Sequence, residues 1–383
     1  MYNRVILIIL DSVGLEAAPD AKKFGDIGAA TLLNIYKETN LKLPNLEKLG
    51  LKNLIKNTKN ETSAVYGTMQ PESAGKDTIA GHWEMMGVIL DQPLPTFPNG
   101  FPEEIVKELE LSFKSKILAN KPASGTVIIK QLGQQHIHSE RPIVYTSADS
   151  VLQIAAHENI IPLHKLYEFC ESAREIMRGQ YAIGRIIARP FIGDFPNYIR
   201  TSNRKDYALE PKNETVLDIL SDNGIDVISI GKISDVFAHR GIEKSIKTKD
   251  NSDGIKKIYE VINSKNNNAF IFANLNDFDS KYGHRRNVDG YSRALKQFDD
   301  FVPTLLNSIR DDDLLIITAD HGNDPTFKGT DHTREIVPLL VYNQIDAFKM
   351  QQIYFKDLGA TILDNFSINP KVGSSFLSKV SKK

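Results

Sequence analysis

Seven short apolar runs punctuate the chain, at residues 5–10, 143–146, 186–188, 227–230, 270–273, 314–318 and 339–342. They are rich in Ile, Val and Leu and lack the apolar/polar alternation of a half-exposed strand. That pattern predicts strands buried on both faces, as in a parallel sheet. Between many of them lie stretches with apolar residues at helical spacing, at 214–223, 253–263 and 289–309. The last places Leu295, Phe298, Phe301, Val302 and Leu305 on one side. Strands alternating with amphipathic helices predict a doubly wound α/β sheet.

The pattern breaks near residue 92. Residues 92–100 hold Pro93, Pro95, Pro98 and Gly100 and read as a linker. A second boundary is expected between Tyr207 and Asn213, where Pro211 interrupts the chain. A core domain formed by 1–92 and 209–383 is therefore expected, with a smaller domain inserted at 93–208, roughly 115 residues and a normal domain size. No internal repeat is evident.

Charge changes this picture little. Charged residues make up 25% of the chain with a formal net charge of -1, so neither nucleic acid nor an anionic membrane is an expected partner. No stretch approaches the ~20 apolar residues of a spanning helix. The run 5–10 is too short for the apolar core of a secretory signal, and Asp11 ends it. The single cysteine, Cys170, excludes an intramolecular disulfide framework and reads as apolar filler. A soluble, cytoplasmic protein is expected.

Chemistry gathers where apolar runs stop. In open α/β sheets ligands collect beyond the carboxyl ends of the strands. Asp11 follows the run 5–10, Asp320 follows 314–318, and Asp279 lies a few residues beyond 270–273. Any one of these acids reads equally well as a helix N-cap. Three converging on one sheet edge would repel each other unless cations or protons compensate. The string Thr318-Ala319-Asp320-His321-Gly322-Asn323-Asp324, with Thr330-Asp331-His332-Thr333 just beyond it, adds imidazoles. Asp279-Ser280-Lys281-Tyr282-Gly283-His284 adds an acid and an imidazole five residues apart. On a straight helix that spacing separates them by about 140°, so convergence requires a turn, which Gly283 permits. The set Asp11, Asp279, His284, Asp320, His321 and His332 points to a divalent metal site. His136, His138, His157, His164 and His239 are expected to be surface or core residues.

The segment Gly75-Lys76-Asp77-Thr78-Ile79-Ala80-Gly81-His82-Trp83-Glu84 begins like a phosphate-binding loop but does not complete one. Gln70 stands where glycine is required and Asp77 where Ser or Thr is required. What remains is a hydroxyl, Thr78, at the expected start of a helix, a favourable place for a phosphate. Asp77 or Thr78 reads alternatively as a plain N-cap.

Lys76-Asp77-Thr78 with Gly81-His82-Trp83-Glu84 resembles the nucleophile segment of phosphopentomutases, in the alkaline phosphatase superfamily. Asp11-Ser12-Val13-Gly14, Asp277-Phe278-Asp279 with Tyr282-Gly283-His284-Arg285, the 319–324 string and Thr330-Asp331-His332-Thr333-Arg334-Glu335 resemble the family's metal motifs. Tyr145-Thr146-Ser147-Ala148-Asp149-Ser150 resembles its cap-domain substrate segment, and Arg185-Ile186-Ile187-Ala188-Arg189-Pro190-Phe191 and Gly231-Lys232-Ile233-Ser234 also match. The family departs here at Ile79, where a hydroxyl often stands, and at His136-Ile137-His138-Ser139-Glu140-Arg141.

The resemblance implies an alkaline-phosphatase-like core with an inserted α/β cap. It implies a metal-dependent isomerase that interconverts (deoxy)ribose 1-phosphate and (deoxy)ribose 5-phosphate through a phosphothreonine at Thr78 and a 1,5-bisphosphate. Two divalent ions, expected to be Mn2+, would take Asp11, Asp320 and His321, and Asp279, His284 and His332. Ser147 and Asp149 would orient the sugar, and Arg189 and Lys232 would meet its distal phosphate. A sugar bisphosphate such as glucose 1,6-bisphosphate would prime the enzyme, and the inserted domain would keep water from the phosphothreonine. The expected partners are small sugar phosphates, with no obligate protein partner. A metal-dependent phosphatase or phosphodiesterase of the same superfamily is the alternative, since the core motifs would serve it equally.

Overall fold

The computed structural model describes residues 1–147, 149–343 and 345–381; Ala148, which falls inside the expected substrate segment, Gln344, Lys382 and Lys383 lie outside the described residues. The chain forms two compact units, Met1–Pro93 with Pro211–Lys383, and Leu94–Glu210.

Among the described residues, the large unit holds a nine-stranded sheet. Eight strands run across it in the order Lys244–Ile246, Asp226–Ile230, Ala269–Leu275, Arg4–Leu10, Asp313–Thr318, Glu335–Tyr342, Val65–Gln70 and Ile353–Tyr354. The first five are parallel to one another. Every residue of Arg4–Leu10, Ala269–Leu275 and Asp313–Thr318 is buried, which is why these strands read as nearly unbroken apolar runs. Arg4 and Asp313, charged and buried at the strand starts, satisfy each other: Arg4 Nε donates to Asp313 Oδ1 at 2.7 Å and Nη2 to Oδ2 at 2.5 Å. Helices pack in two sets, Val288–Ser308 with Thr31–Thr39 and Asn251–Ile262, and Phe355–Asn365 with Thr78–Met85 and Val216–Asp222.

The expected strand at 339–342 departs from the parallel pattern. It begins at Glu335 and runs antiparallel to both neighbours, Asp313–Thr318 and Val65–Gln70. Pro338 concealed its first half, because proline cannot donate to a ladder. Pairing with Asp313–Thr318 stops at Ile317 opposite Leu340, so Pro338 lies beyond the ladder on that side. There its carbonyl accepts a bond from Thr318 Oγ1 at 2.7 Å.

The small unit has its own mixed sheet in the order Leu118–Pro122, Ile143–Thr146, Val151–His157, Arg185–Ile192 and Ile199–Arg200, with Lys205–Ala208 also paired to Arg185–Ile192. Val151–His157 is wholly buried although Gln153 interrupts its apolar run. One face packs Val144, Leu152, Ile154, Ile186 and Ala188 with residues of the helices Glu103–Phe113 and Leu163–Ile176. The other packs Ile143, Tyr145, Ala155 and Phe191 with Ile128 and Ile129 of the helix Gly125–Ser139. Cys170 is buried in the first of these cores. Among the described residues, no helix is long and apolar enough to cross a membrane.

Candidate metal centre

Three adjacent parallel strands deliver the acids. Leu10 lies opposite Leu275 and Ile9 opposite Thr318, so the three carboxyl ends coincide. Asp11, Asp279 and Asp320 stand just past those ends and are all buried. His321 Nε2 lies 3.6 Å from Asp11 Oδ1 and 3.3 Å from Asp320 Oδ2. Asp279 Oδ2 lies 3.2 Å from His284 Nε2, and Oδ1 lies 3.4 Å from His332 Nε2. One donor atom from each of Asp279, His284 and His332 falls within 4.8 Å of the others, and the same holds for Asp11, Asp279 and His321. All six residues singled out in the sequence thus come together, with Asp279 common to both groups.

Asp279 and His284 converge without leaving the helix. Phe278–Gly283 is a π-helix, closed by the His284 amide donating to the Asp279 carbonyl at 3.1 Å. An i→i+5 turn brings residues five apart onto one face, which an α-helix does not. Gly283 serves a different purpose from the turn expected of it. A Cβ there would lie 2.7 Å from Asn323 Nδ2, so glycine admits the Asn323 side chain.

Thr78 opens the helix Thr78–Met85. Asp77 is the N-cap: its Oδ1 accepts from the amides of Ile79 at 2.9 Å and Ala80 at 3.2 Å. The capping and chemical readings therefore divide between neighbours, and the Thr78 hydroxyl is left for chemistry. Its Oγ1 lies 3.3 Å from His321 Nε2 and accepts from Lys232 Nζ at 2.8 Å. Lys232 also pairs with Asp11. The remainder of the motif anchors this helix. Gly81 packs against the Asp320 backbone. His82 Nδ1 lies 2.9 Å from the Thr78 carbonyl and 3.2 Å from Asp320 Oδ2. Trp83 Nε1 donates to the Val236 carbonyl at 3.0 Å, and Glu84 accepts from the amides of Glu72 and Ser73.

Uncompensated polarity marks the centre as a cation site. Asp11 Oδ1, Asp320 Oδ2 and His332 Nε2 are buried without a hydrogen-bond partner, an expensive state unless something positive sits among them. Burial and the Asp320 charge push the Asp11 carboxyl up. Asp320 is held well below the usual carboxylate range: burial opposes this, but His321 and His82 prevail. Asp279 is likewise held down, against burial, by His332 and His284. His321 is raised to about 10; burial opposes this, and Asp320 outweighs it. Its Nδ1 faces the Gly322 carbonyl at 3.0 Å, so Nδ1 donates there and Nε2 is the ring atom turned toward the carboxylates. Mixed carboxylate and imidazole donors suit Mn or Zn.

Several supporting residues escaped the sequence reading. Asn274 Nδ2 donates to Asp11 Oδ2 at 2.8 Å, and Asn323 Nδ2 to Asp279 Oδ1 at 2.8 Å. Arg334 uses all five of its N–H groups, on Asp20 and on the carbonyls of Pro71, Ser73 and Gly75, tying the segment before Thr78 to the strand after His332. Only His82 left a legible signal, since four residues after Thr78 it shares that helical face. Ser147, Asp149 and Arg189 belong to the small unit, whereas Lys232 belongs to the large one. Arg189 Nε donates to Gln153 Oε1 at 2.9 Å; Gln153 pairs across the sheet with Tyr145, whose buried hydroxyl has no hydrogen-bond partner.

A family model for the metalloenzyme superfamily matches residues 3–370. A phosphopentomutase of Caldanaerobacter subterraneus subsp. tengcongensis is 51% identical over 389 residues, covering 99% of this chain and 98% of the relative. A phosphopentomutase of Alkaliphilus oremlandii is 52% identical over 392 residues, covering 100% of each. A solved protein of Pyrococcus horikoshii shares the fold at 13% identity and a TM-score of 0.50, over 98% of this chain and 99% of that one.

Proposed function

The chain belongs to the phosphopentomutase family of the metalloenzyme superfamily, and from this we propose that it moves a phosphoryl group between C1 and C5 of ribose and 2-deoxyribose through a phosphothreonine at Thr78. It is a metal-dependent isomerase with an alkaline-phosphatase-like α/β fold. The observation that carries the proposed mechanism is the setting of Thr78: a hydroxyl at a helix start, 2.8 Å from an ammonium and 3.3 Å from an imidazole, beside buried carboxylate oxygens that lack partners.

Two divalent cations, expected to be manganese, would be held by Asp11, Asp320 and His321 and by Asp279, His284 and His332. When bound they supply positive charge against phosphoryl oxygens and acidify a nearby hydroxyl. Phospho-Thr78 gives its phosphoryl group to the free hydroxyl of a pentose monophosphate. The Oγ1–P bond breaks, a sugar O–P bond forms, the proton of the sugar hydroxyl ends on the released Thr78 Oγ1, and the product is the 1,5-bisphosphate. Thr78 then takes the other phosphoryl group, and the sugar leaves as the isomer. Lys232 would remain beside Oγ1 throughout, offsetting negative charge on the threonine oxygen and the phosphoryl group. Ser147 and Asp149 would orient sugar hydroxyls, and Arg189 would bind the phosphate that is not reacting. A chain whose Thr78 carries no phosphate would need priming, the part assigned to a sugar bisphosphate such as glucose 1,6-bisphosphate.

The test incubates the purified protein with Mn2+, a trace of glucose 1,6-bisphosphate and ribose 5-phosphate. A purine nucleoside phosphorylase reports ribose 1-phosphate while free phosphate is followed in parallel. Nucleoside formation with only a trace of free phosphate is expected. Free phosphate as the main product would favour a phosphatase instead.

A further inference from the structure

We propose that Arg286 positions the donor set Asp279, His284 and His332, and so decides whether the second of the two cations is retained; the inference rests on the two-cation reading above. Arg286 lies just past the π-helix and adopts a left-handed backbone, φ 51°. Such a conformation is strained for arginine and persists where its surroundings hold it.

The surroundings are unusually complete. Nε donates to the Gly329 carbonyl at 2.5 Å and Nη2 to the Asp331 carbonyl at 2.9 Å. Between those two carbonyls, the Thr330 carbonyl faces His284 Nδ1 at 2.7 Å. Three consecutive carbonyls of the loop that delivers His332 are therefore zipped to the segment that delivers His284. A carbonyl only accepts, so His284 Nδ1 carries a proton, and Nε2 is the ring atom turned toward Asp279. Nη1 reaches back to the Gly283 carbonyl, at 2.8 Å, tying the end of the π-helix into the same clamp.

Nη1 also donates to Asn323 Oδ1 at 2.5 Å. This contact orients the third ligand. Arginine has donors only, so the oxygen of the Asn323 amide must face it. The Asn323 amino group is thereby turned toward Asp279, where Nδ2 meets Oδ1 at 2.8 Å. Without Arg286 the amide loses one of the two groups that hold it in place, and the Asn323 oxygen is left without that donor. All four partners of the guanidinium are neutral oxygens, so its planar fork matters here more than its charge.

The other donor set is held by different atoms. Ser12 N donates to Asp320 Oδ1 at 3.0 Å, Asn274 Nδ2 to Asp11 Oδ2 at 2.8 Å, and the Gly322 carbonyl holds His321. Asp279 also lies within reach of Asp11 and His321, but these supports do not depend on Arg286, so its loss should weaken the site of Asp279, His284 and His332 far more than the other.

The test is Mn2+ titration by calorimetry, with electron paramagnetic resonance of the loaded protein, on the whole chain and on Arg286→Gln and Arg286→Lys. The unsubstituted chain is expected to take up two ions and to show the spectrum of a spin-coupled pair. Arg286→Gln is expected to keep one ion at nearly unchanged affinity, to lose about tenfold or more in Kd for the other, the scale of an orienting partner, and to show isolated Mn2+. Arg286→Lys keeps the charge without the fork, so it is expected to behave like Arg286→Gln; it carries the test alone should the glutamine variant not fold. Two ions at unchanged affinity with a coupled spectrum in the variants would overturn the proposal. Fewer than two ions on the unsubstituted chain would instead sink the two-cation reading.

Discussion

Replacing Gly81 by alanine adds one methyl group at the contact between the helix that begins with Thr78 and the strand end that carries Asp320. That methyl carbon would fall 2.9 Å from the Asp320 carbonyl carbon and 3.1 Å from its Cβ, with the carbonyl oxygen nearer still. Carbon atoms ordinarily rest about 3.5–4.0 Å apart, so the helix and strand must separate by about 1 Å. Neither side yields easily. The strand before Asp320 is wholly buried, and Asp320 Oδ1 is held by the Ser12 amide. The helix is fastened elsewhere, by Trp83 on the Val236 carbonyl and by Glu84 on two backbone amides. The displacement therefore falls on the end that carries Thr78, which now lies 3.3 Å from His321 and 2.8 Å from Lys232. A misplacement of about 1 Å is worth about 100-fold in rate, or about 2.7 kcal/mol of barrier. Overpacking should separately lower stability by about 1–3 kcal/mol. The coupled nucleoside phosphorylase assay reads kcat, and urea melts read stability. A folded Gly81→Ala protein with kcat within about threefold of the unsubstituted chain would refute the claim that this contact sets the position of a Thr78 on which turnover depends.

Thr78→Ala should bind Mn2+ normally yet carry no phosphate ester by intact mass after incubation with sugar bisphosphate, and its turnover should vanish; measurable isomerisation would defeat the phosphothreonine route. Glu335 is buried against Thr31 and Thr333, and burial raises its carboxyl from 4.5 to about 7. Because the folded value lies above the unfolded one, its contribution to stability is full below about pH 4.5 and is lost as pH rises through about 7, a change of about 3 kcal/mol. Urea melts of the unsubstituted chain and Glu335→Gln between pH 5 and 7.5 should therefore diverge by up to about that amount, whereas parallel curves would show that the group titrates normally. Removing metal with EDTA should lower the melting temperature, because Asp11, Asp279 and Asp320 are buried together; Mn2+ at a hundred times its Kd should restore about 2.7 kcal/mol. An unchanged melt with and without chelator would count against a resident cation.

Some of this was legible because it is local. A run buried on both faces leaves no room for polar side chains until it reaches the sheet edge, so Leu10-Asp11 and Thr318-Ala319-Asp320 announce both a strand and what its end presents. The strong runs of the large sheet, and the amphipathic helix now seen as Val288–Ser308, were readable for that reason. Val151–His157 was not, because its burial comes from the sheets and helices around it, and Gln153 inside it blurred the run. The reversal of Glu335–Tyr342 was hidden likewise, since strand direction is decided by neighbours far away in sequence.

The candidate site divides along the same line. Its donor types could be listed from the chain, as could the hydroxyl at Thr78. How Asp279 and His284 meet could not, because an i→i+5 turn and an α-helical turn carry no distinct residue pattern, and the π-helix forms where Asn323 braces it from a distant segment and Arg286 from just beyond its end. By itself the sequence determined which groups each strand end offers, since burial restricts residue type at each position. Only the tertiary structure decided which groups face one another and what holds them, since hydrogen-bond partners lie up to hundreds of residues apart and are chosen by sheet order and packing.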